Sequence, residues 1–461
     1  GLMFLACILS YVSSTDKEGG ARRRWLALSL LFFVFALLSK SITMTLPLAL
    51  VILDLYPLRR LRVSPRAWVS QTGRRVLLEK LPFLAVGILG AAGSYWAVDR
   101  HAFFTSTVQY PLLSRIALAA YSVCFYIGKT VLPTGLSPLY ELPATVDIRD
   151  SQFALAAVAA VLVTASLLAL WRRWPAGCAA YVYYAVVLAP VGGLVHAGFQ
   201  LAHDRYSYLS CLGFALLAGA IPALLGRARD QGKLTPRLVR LTAGAIAAWL
   251  VVLGGLTWDQ VRVWRSTESL WFHAVMTEPE CTICQNNVGA LLVNAGNSQA
   301  SLPYFAQSIV VRPDRQKAYG GIGLALIQLG RPAEAEPYLK RALAADASDV
   351  GLLNNMGTAL LRQGKFDEAI PYLRRALAID AANLRARSNL GAALAGSGAL
   401  GAALQQFHRA AEQDAFSAEA RIGLVRAYVE KGDLVQARKH YTILRQLHPR
   451  AAGPLAHHFA S

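Results

Sequence analysis

Five glycines, Gly296, Gly330, Gly364, Gly398 and Gly432, recur at a spacing of 34 residues. A fixed period of this length means that one supersecondary unit is used repeatedly, and that neighbouring units must stack to bury their apolar faces. Each glycine stands between two stretches with apolar residues at helical spacing, where the chain needs a residue that accepts a left-handed backbone. Gly289, Gly323, Gly357 and Gly391 recur in the first stretch of each unit, and Val425 interrupts the series. Ala335, Ala369, Ala403 and Ala437 hold the facing slot of the second stretch, with Ser301 in the first unit. Phe305, Leu339, Leu373, Phe407 and Tyr441 supply the large side chain that plugs between the two helices. The sequence therefore predicts five helix pairs, 281–314, 315–348, 349–382, 383–416 and 417–450, followed by a tail, 451–461. Trp271, Ala274 and Pro279 lie one period before Phe305, Ser308 and Pro313, so 261–280 reads as a connecting half-unit whose helix partners the end of the preceding apolar segment.

The region before the repeats is of another kind. The chain is 55% hydrophobic and only 16% charged, and residues 1–260 hold the long apolar runs. A helix needs about 20 apolar residues to cross a bilayer. The candidate spans are 1–13, 25–39, 42–57, 79–97, 152–170, 176–194, 207–225 and 241–257. The expected fold is all-α: a polytopic transmembrane helix bundle followed by an α-solenoid. The formal charge of +19 suggests nucleic acid at first sight. Many of the cations lie instead in short loops between apolar runs, which is a footprint of membrane topology. One set of loops carries 17 Lys and Arg and the other only 6, so the first set is expected in the cytoplasm. That assignment requires 116–133 to lie at the outer interface without crossing, with Lys129 snorkelling at its end. The repeats then emerge on the outer side, the periplasm of a bacterial inner membrane. The chain opens on Gly1 inside an apolar run, and the expectation is an N-terminus cut partway through a helix.

No Walker loop, dinucleotide glycine fingerprint, nucleophile elbow or zinc-helix motif is present. Cys281 and Cys284 open the first full repeat and read as a structural disulfide or as two free thiols. Two ligands do not make a zinc site. Charged residues at membrane depth are functional candidates by default. Lys40 sits on the turn between two short spans, and Arg205 follows Gln200, His203 and Asp204 just before the span 207–225. Arg205 suits a bidentate grip on a phosphate, Lys40 a second point charge, and Gln200, Asp204 and Tyr206 supporting roles. The plainer readings are snorkelling for Lys40, a helix-entry cap for Asp204 and Arg205, and an interfacial aromatic belt for Tyr206 and Tyr208. Asp54, near the cytoplasmic end of its span, reads as structural. In the repeats, Asn287, Asn355 and Asn389 hold equivalent positions, with Gly321 and Gly423 in the gaps. Their amides suit the backbone of an extended peptide, and the plainer reading is a residue common at that position. The array holds 20 Lys and Arg against 13 Asp and Glu, which reads as a solvated surface.

The 34-residue period and its fixed positions resemble the tetratricopeptide repeat (TPR). LLSKSITMTLPLALVILDLYPLRR (37–60), HDRYSYLSCLGF (203–214) and WRSTESLWFHAV (264–275) look like segments of bacterial membrane-TPR proteins. These are similar to the transmembrane and TPR-containing O-mannosyltransferases, which resemble the C-type glycosyltransferase superfamily. The resemblance implies a polyprenyl-phosphate-linked sugar as donor and a periplasmic protein as acceptor, presented by the repeats. It implies that Lys40 and Arg205 face the lipid phosphate, and that an acidic catalytic residue lies in an outer loop before Gly1. His203 stands where a small residue is expected. The competing expectation is a non-enzymatic, membrane-anchored scaffold for envelope proteins.

Overall fold

The computed structural model of the chain describes residues 1–100, 110–194, 200–202 and 207–459. They divide into two units, Gly1–Glu278 and Pro279–Ser461.

The first unit opens with α1 (Leu2–Thr15), α2 (Gly19–Ser39), a 3-10 turn (Ser41–Thr45) and α3 (Leu46–Leu55). Then come α4 (Pro65–Val69), α5 (Gln71–Leu78), α6 (Leu81–Arg100), α7 (Leu112–Val131), α8 (Ser151–Leu170) and α9 (Pro175–Leu188). The unit closes with α10 (Ser207–Ser210), α11 (Leu212–Asp230), α12 (Pro236–Val263) and α13 (Thr267–Thr277). Five stretches are long and apolar enough to cross a membrane by length and composition: Gln71–Ala97, Leu112–Val131, Ser151–Leu170, Leu212–Asp230 and Pro236–Val263. The stretch Leu112–Val131, expected at the interface on charge counting, is among them. The strands β1 (Tyr140–Glu141) and β2 (Gln200–Ala202) pair antiparallel, a sheet the helical pattern does not announce. Ala202 is buried with Tyr126, Tyr140, Tyr181 and Tyr184, so β2 is anchored in an aromatic cluster.

Close contact of α1 and α2 follows from small residues. Ser29 Oγ donates to the Cys7 carbonyl at 2.8 Å, and Cys7 Sγ lies 3.2 Å from that hydroxyl. Toward the other end of the hairpin lies a buried ion network. Asp54 is 0% exposed and Lys80 1%. Lys80 Nζ is 2.6 Å from Asp54 Oδ2, and the Tyr11 hydroxyl donates to the same oxygen at 2.7 Å. Arg60 Nη1 donates to Asp54 Oδ1 at 3.0 Å, while its Nη2 donates to Glu79 Oε2 at 2.8 Å. Arg22 reaches Glu79 Oε1 at 2.5 Å. Asp54 is thus structural, as the sequence suggests, but its role is to gather α1, α3, the loop after α3 and the start of α6. Arg22 and Arg60, counted as loop charges in the topology argument, are partly consumed here.

α13 is a helix within 261–280, started by a capping box between Ser266 and Ser269. Ser269 Oγ donates to the Val263 carbonyl at the end of α12 at 2.9 Å, the tie expected to the preceding apolar segment, and a second tie runs elsewhere. His273 Nε2 lies 3.1 Å from the Leu136 carbonyl, in the loop between α7 and β1.

In the second unit the pairs are α14 (Thr282–Asn294) and α15 (Ser298–Val311), then α16 (Gln316–Gln328) and α17 (Pro332–Ala345), then α18 (Val350–Arg362) and α19 (Phe366–Ile379). They continue as α20 (Leu384–Gly396) with α21 (Leu400–Gln413), and α22 (Ala418–Glu430) with α23 (Leu434–Leu447). The five periodic turn glycines all have φ between 74° and 81°, a region closed to most L-residues. Asp349, Asn383 and Ser417, again 34 apart, cap α18, α20 and α22 through side-chain oxygens. A Cβ on Gly289, Gly323, Gly357 or Gly391 would lie 2.5–2.7 Å from Phe305, Leu339, Leu373 or Phe407. Cys281 and Cys284 are joined as a disulfide in the first turn of α14.

The tail is not a loose end. α24 (Pro449–Ala452) and the 3-10 turn Gly453–Phe459 fold onto the last pair, and Leu455 is buried with Val425 and Leu444. Tyr441 stacks on Phe459 with centroids 4.6 Å apart. The side chain at the plug position of the fifth repeat is therefore engaged with the tail, and Val425 is accommodated where the other repeats need glycine.

Replacing Asp54 by Asn leaves the Lys80 ammonium buried without a counter-charge, and is expected to cost about 3–5 kcal/mol of stability. Adding Lys80→Met should recover most of the loss. Urea titration of the purified chain measures both. A double variant no more stable than Asp54→Asn alone would show that the network is not what holds these helices.

Candidate functional site

Lys40 caps the C-terminus of α2 and starts the 3-10 turn, with an extended backbone (φ −163°, ψ 123°). Its N–H donates to the Ala36 carbonyl at 3.0 Å, and its own carbonyl accepts from the Thr43 hydroxyl at 2.8 Å. The backbone is thus fixed at a corner that leaves the side chain exposed at a cavity of about 330 Å³. Ser39, Thr43 and Tyr208 give it polar wall, and Met3, Ile42 and Leu209 apolar wall. Its volume falls at the small end of ligand sites.

His203, Asp204, Arg205 and Tyr206 lie outside the described residues. The structure does show what flanks them. Gln200 pairs with Glu141 across the two strands, and Tyr208, three residues after Arg205, lines the Lys40 cavity. The Lys129 ammonium is bonded to the loop that follows α7. Its Nζ donates to the carbonyls of Thr134 at 2.7 Å and Gly135 at 2.8 Å, and it lies 5.5 Å from the ring centroids of Phe125 and Tyr140.

The second candidate is the face built by the first helix of each repeat. Asn287, Asn355 and Asn389 are half-buried on α14, α18 and α20. They are not equivalent. Asn389 Nδ2 donates to Asn354 Oδ1 at 2.9 Å and to Thr358 Oγ1 at 3.0 Å. Both of its N–H groups are thus spent on the neighbouring repeat, and only its carbonyl oxygen is left to offer. Asn287 and Asn355 make no side-chain hydrogen bond among the described residues. Arg362 Nη1 donates to the Ile327 carbonyl, a second tie between adjacent first helices.

The structure also explains why the asparagines skip repeats two and five. A Cβ on Gly321 would lie 2.4 Å from the Phe305 ring, and one on Gly423 2.2 Å from the Phe407 ring. Where the preceding plug is Phe, the next repeat carries Gly; where it is Leu339 or Leu373, the next carries Asn355 or Asn389. The alternation was present in the sequence, and reading plug and ladder positions across the repeat boundary would have found it.

At the far end, the His440 ring is pushed down to about 4 by burial, with the Arg421 charge and His408 adding to the effect. It is neutral at pH 7 and its Nδ1 accepts from Arg421 at 3.2 Å. That contact is structural.

Tetratricopeptide-repeat family models match residues 289–350, 351–383 and 394–453. The C-terminal region carries tetratricopeptide repeats. No curated protein matches the chain. Among solved structures, the chain is similar to YrrB, described as a TPR protein with an unusual peptide-binding site, at 26% identity. That match covers 42% of this chain and 99% of YrrB, with a TM-score of 0.35. It is similar to TTC0263, a thermophilic TPR protein of Thermus thermophilus, at 17% identity, covering 39% and 98% of the two chains, with a TM-score of 0.35. It is similar to PilW, described as a widely conserved type IV pilus biogenesis factor, at 20% identity, covering 43% and 94%, with a TM-score of 0.38. None of these matches shows a relationship to the O-mannosyltransferases.

Gly423→Asn would extend the row of asparagines into the fifth repeat, and is expected to destabilise by about 1–3 kcal/mol through overpacking against Phe407. Combined with Phe407→Leu, the two changes should couple favourably by about 1 kcal/mol or more. A double-mutant cycle from denaturant unfolding reads the coupling, and additivity would refute the pairing.

Proposed function

We propose that this chain is a membrane-anchored TPR scaffold that holds an extended segment of a partner protein along the face of α14, α16, α18, α20 and α22. The observation that carries this is the pair of half-exposed amides of Asn287 and Asn355, without intramolecular partners among the described residues, on a row of stacked helices. Stacked repeats form extended concave surfaces suited to such segments. An amide offers a donor and an acceptor, which matches one peptide unit of an extended backbone. Anchoring is supported by five stretches with the length and apolarity to span a bilayer, and by the bias of Lys and Arg toward one set of loops. With Leu112–Val131 lying along the interface and not crossing, that bias favours an array on the periplasmic side of a bacterial inner membrane. Asn355→Ala removes two hydrogen bonds, and is expected to weaken binding of an extended fluorescent peptide about tenfold. The thermal unfolding of the array should not move. Anisotropy titration checks it, and unaltered binding would remove Asn355 from the contact.

A second reading is favoured by the Lys40 cavity. The chain would move a sugar from a polyprenyl-phosphate donor to a periplasmic protein. Lys40 stands at a cavity walled by Tyr208 and Leu209, the residues that follow the segment of Asp204, Arg205 and Tyr206. Leaving-group phosphate gains negative charge as the sugar departs, and a fixed cation there lowers the barrier. Lys40→Ala or Arg205→Ala should each reduce transfer of radiolabelled sugar by about a hundredfold. Unchanged transfer in both variants would discard the reading.

A further inference from the structure

The carboxylates of the array are sorted by helix. Not one Asp or Glu occurs within α14, α16, α18 or α20. In repeats two to four, every carboxylate lies in the second helices, or in the loops and caps beside the first helices. A merely solvated surface intersperses the two signs, so this sorting asks for a reason.

Residues three, four and seven apart share a stripe of a helix. On the stripe marked by the ladder positions, repeats two to four carry Lys317, Arg362 and Arg385. The fifth repeat alone brings acid to it, with Glu419 and Glu430 around Arg426. Lys317 and Arg385 are exposed. Arg362 is exposed as well, and it turns across the boundary between repeats, where it spends one N–H on the Ile327 carbonyl. Its other N–H groups have no partner among the described residues, and guanidinium presents them in a planar fork suited to carboxylate. Asn389, with its N–H groups spent, adds an acceptor for a peptide N–H between these cations.

We infer that the groove is built for an acidic extended segment, held with its Asp and Glu side chains over repeats two to four. The inference rests on the peptide-holding reading above. Asn355 and Asn389 meet the backbone; Lys317, Arg362 and Arg385 meet the side chains. Glu419 and Glu430 repel further acid and limit the acidic stretch at the fifth repeat, which also fixes its placement along the groove. The cations raise the encounter rate and make the affinity dependent on salt.

The test uses the whole chain in detergent and three short fluorescent peptides: alternating Glu and Ser, alternating Lys and Ser, and alternating Gln and Ser. The Glu peptide should bind about tenfold more tightly than the Gln peptide, and lose that margin as salt rises. The Lys peptide should bind most weakly. Lys317→Glu with Arg385→Glu should reverse the order of the Glu and Lys peptides; Lys317→Gln with Arg385→Gln, at exposed positions that disturb no packing, should level it. Equal binding of all three peptides, or preference for Lys, overturns the acidic assignment and leaves the groove reading standing. Binding of none overturns both.

Discussion

The second unit depends on one contact, a large side chain driven into the space above a glycine. Phe305, Leu339, Leu373 and Phe407 each close on the glycine of their own first helix, near enough that a Cβ there would overlap them. Everything else in the array is arranged around that approach. The positive-φ glycines turn the chain so the second helix returns, and the periodic caps start the next first helix in register. Because the plug is shared with the following repeat, its size also decides what the groove displays. Phe305 and Phe407 leave bare backbone at Gly321 and Gly423, while the smaller Leu339 and Leu373 leave room for Asn355 and Asn389. Packing in the core and chemistry on the face are one decision.

The first unit is held differently. Apolar packing is present, as in the cluster of Phe4, Phe33, Leu46 and Leu50. Among surfaces as apolar as these, such packing discriminates poorly between one helix arrangement and another. The Asp54 network supplies direction, since each donor must meet a given oxygen. The Tyr11 hydroxyl donates to Asp54 and accepts from both Arg60 and Lys80, so its hydrogen-bonding capacity is filled. Such an arrangement tolerates little sliding of α1 against α3 or α6.

Much of the repeat half was legible because a period exposes its own rules. Five instances of each position separate what the fold needs from what one repeat happens to contain. The tail was not legible, since Leu455 and Phe459 have no periodic counterpart and their role depends on Val425 and Tyr441 across the end of the stack. In the first half the positions of the helices could be read from apolar runs. Their partners could not: the reach of Lys129 to two carbonyls, and of Lys80 to Asp54, joins residues with no spacing rule between them. The strand pair was hidden for the same reason, being two and three residues long and defined only by each other. Of the proposed donor-phosphate site, the sequence named the residues, and the structure describes Lys40 and the flanks of Arg205.

The shared plug gives the array a grammar. A repeat's ending dictates how the next one must begin: Phe must be followed by Gly, and Leu by Asn or smaller. Copying the third repeat in place would set Leu373 against a second Asn355, a legal junction. Copying the fourth would set Phe407 against Asn389, and excising the second would set Phe305 against Asn355, both illegal. Among the first four repeats, then, the second and third are the ones a duplication can copy, and a longer descendant of this protein would be expected to have grown in the middle, its groove lengthened by asparagine from the third or by bare backbone from the second.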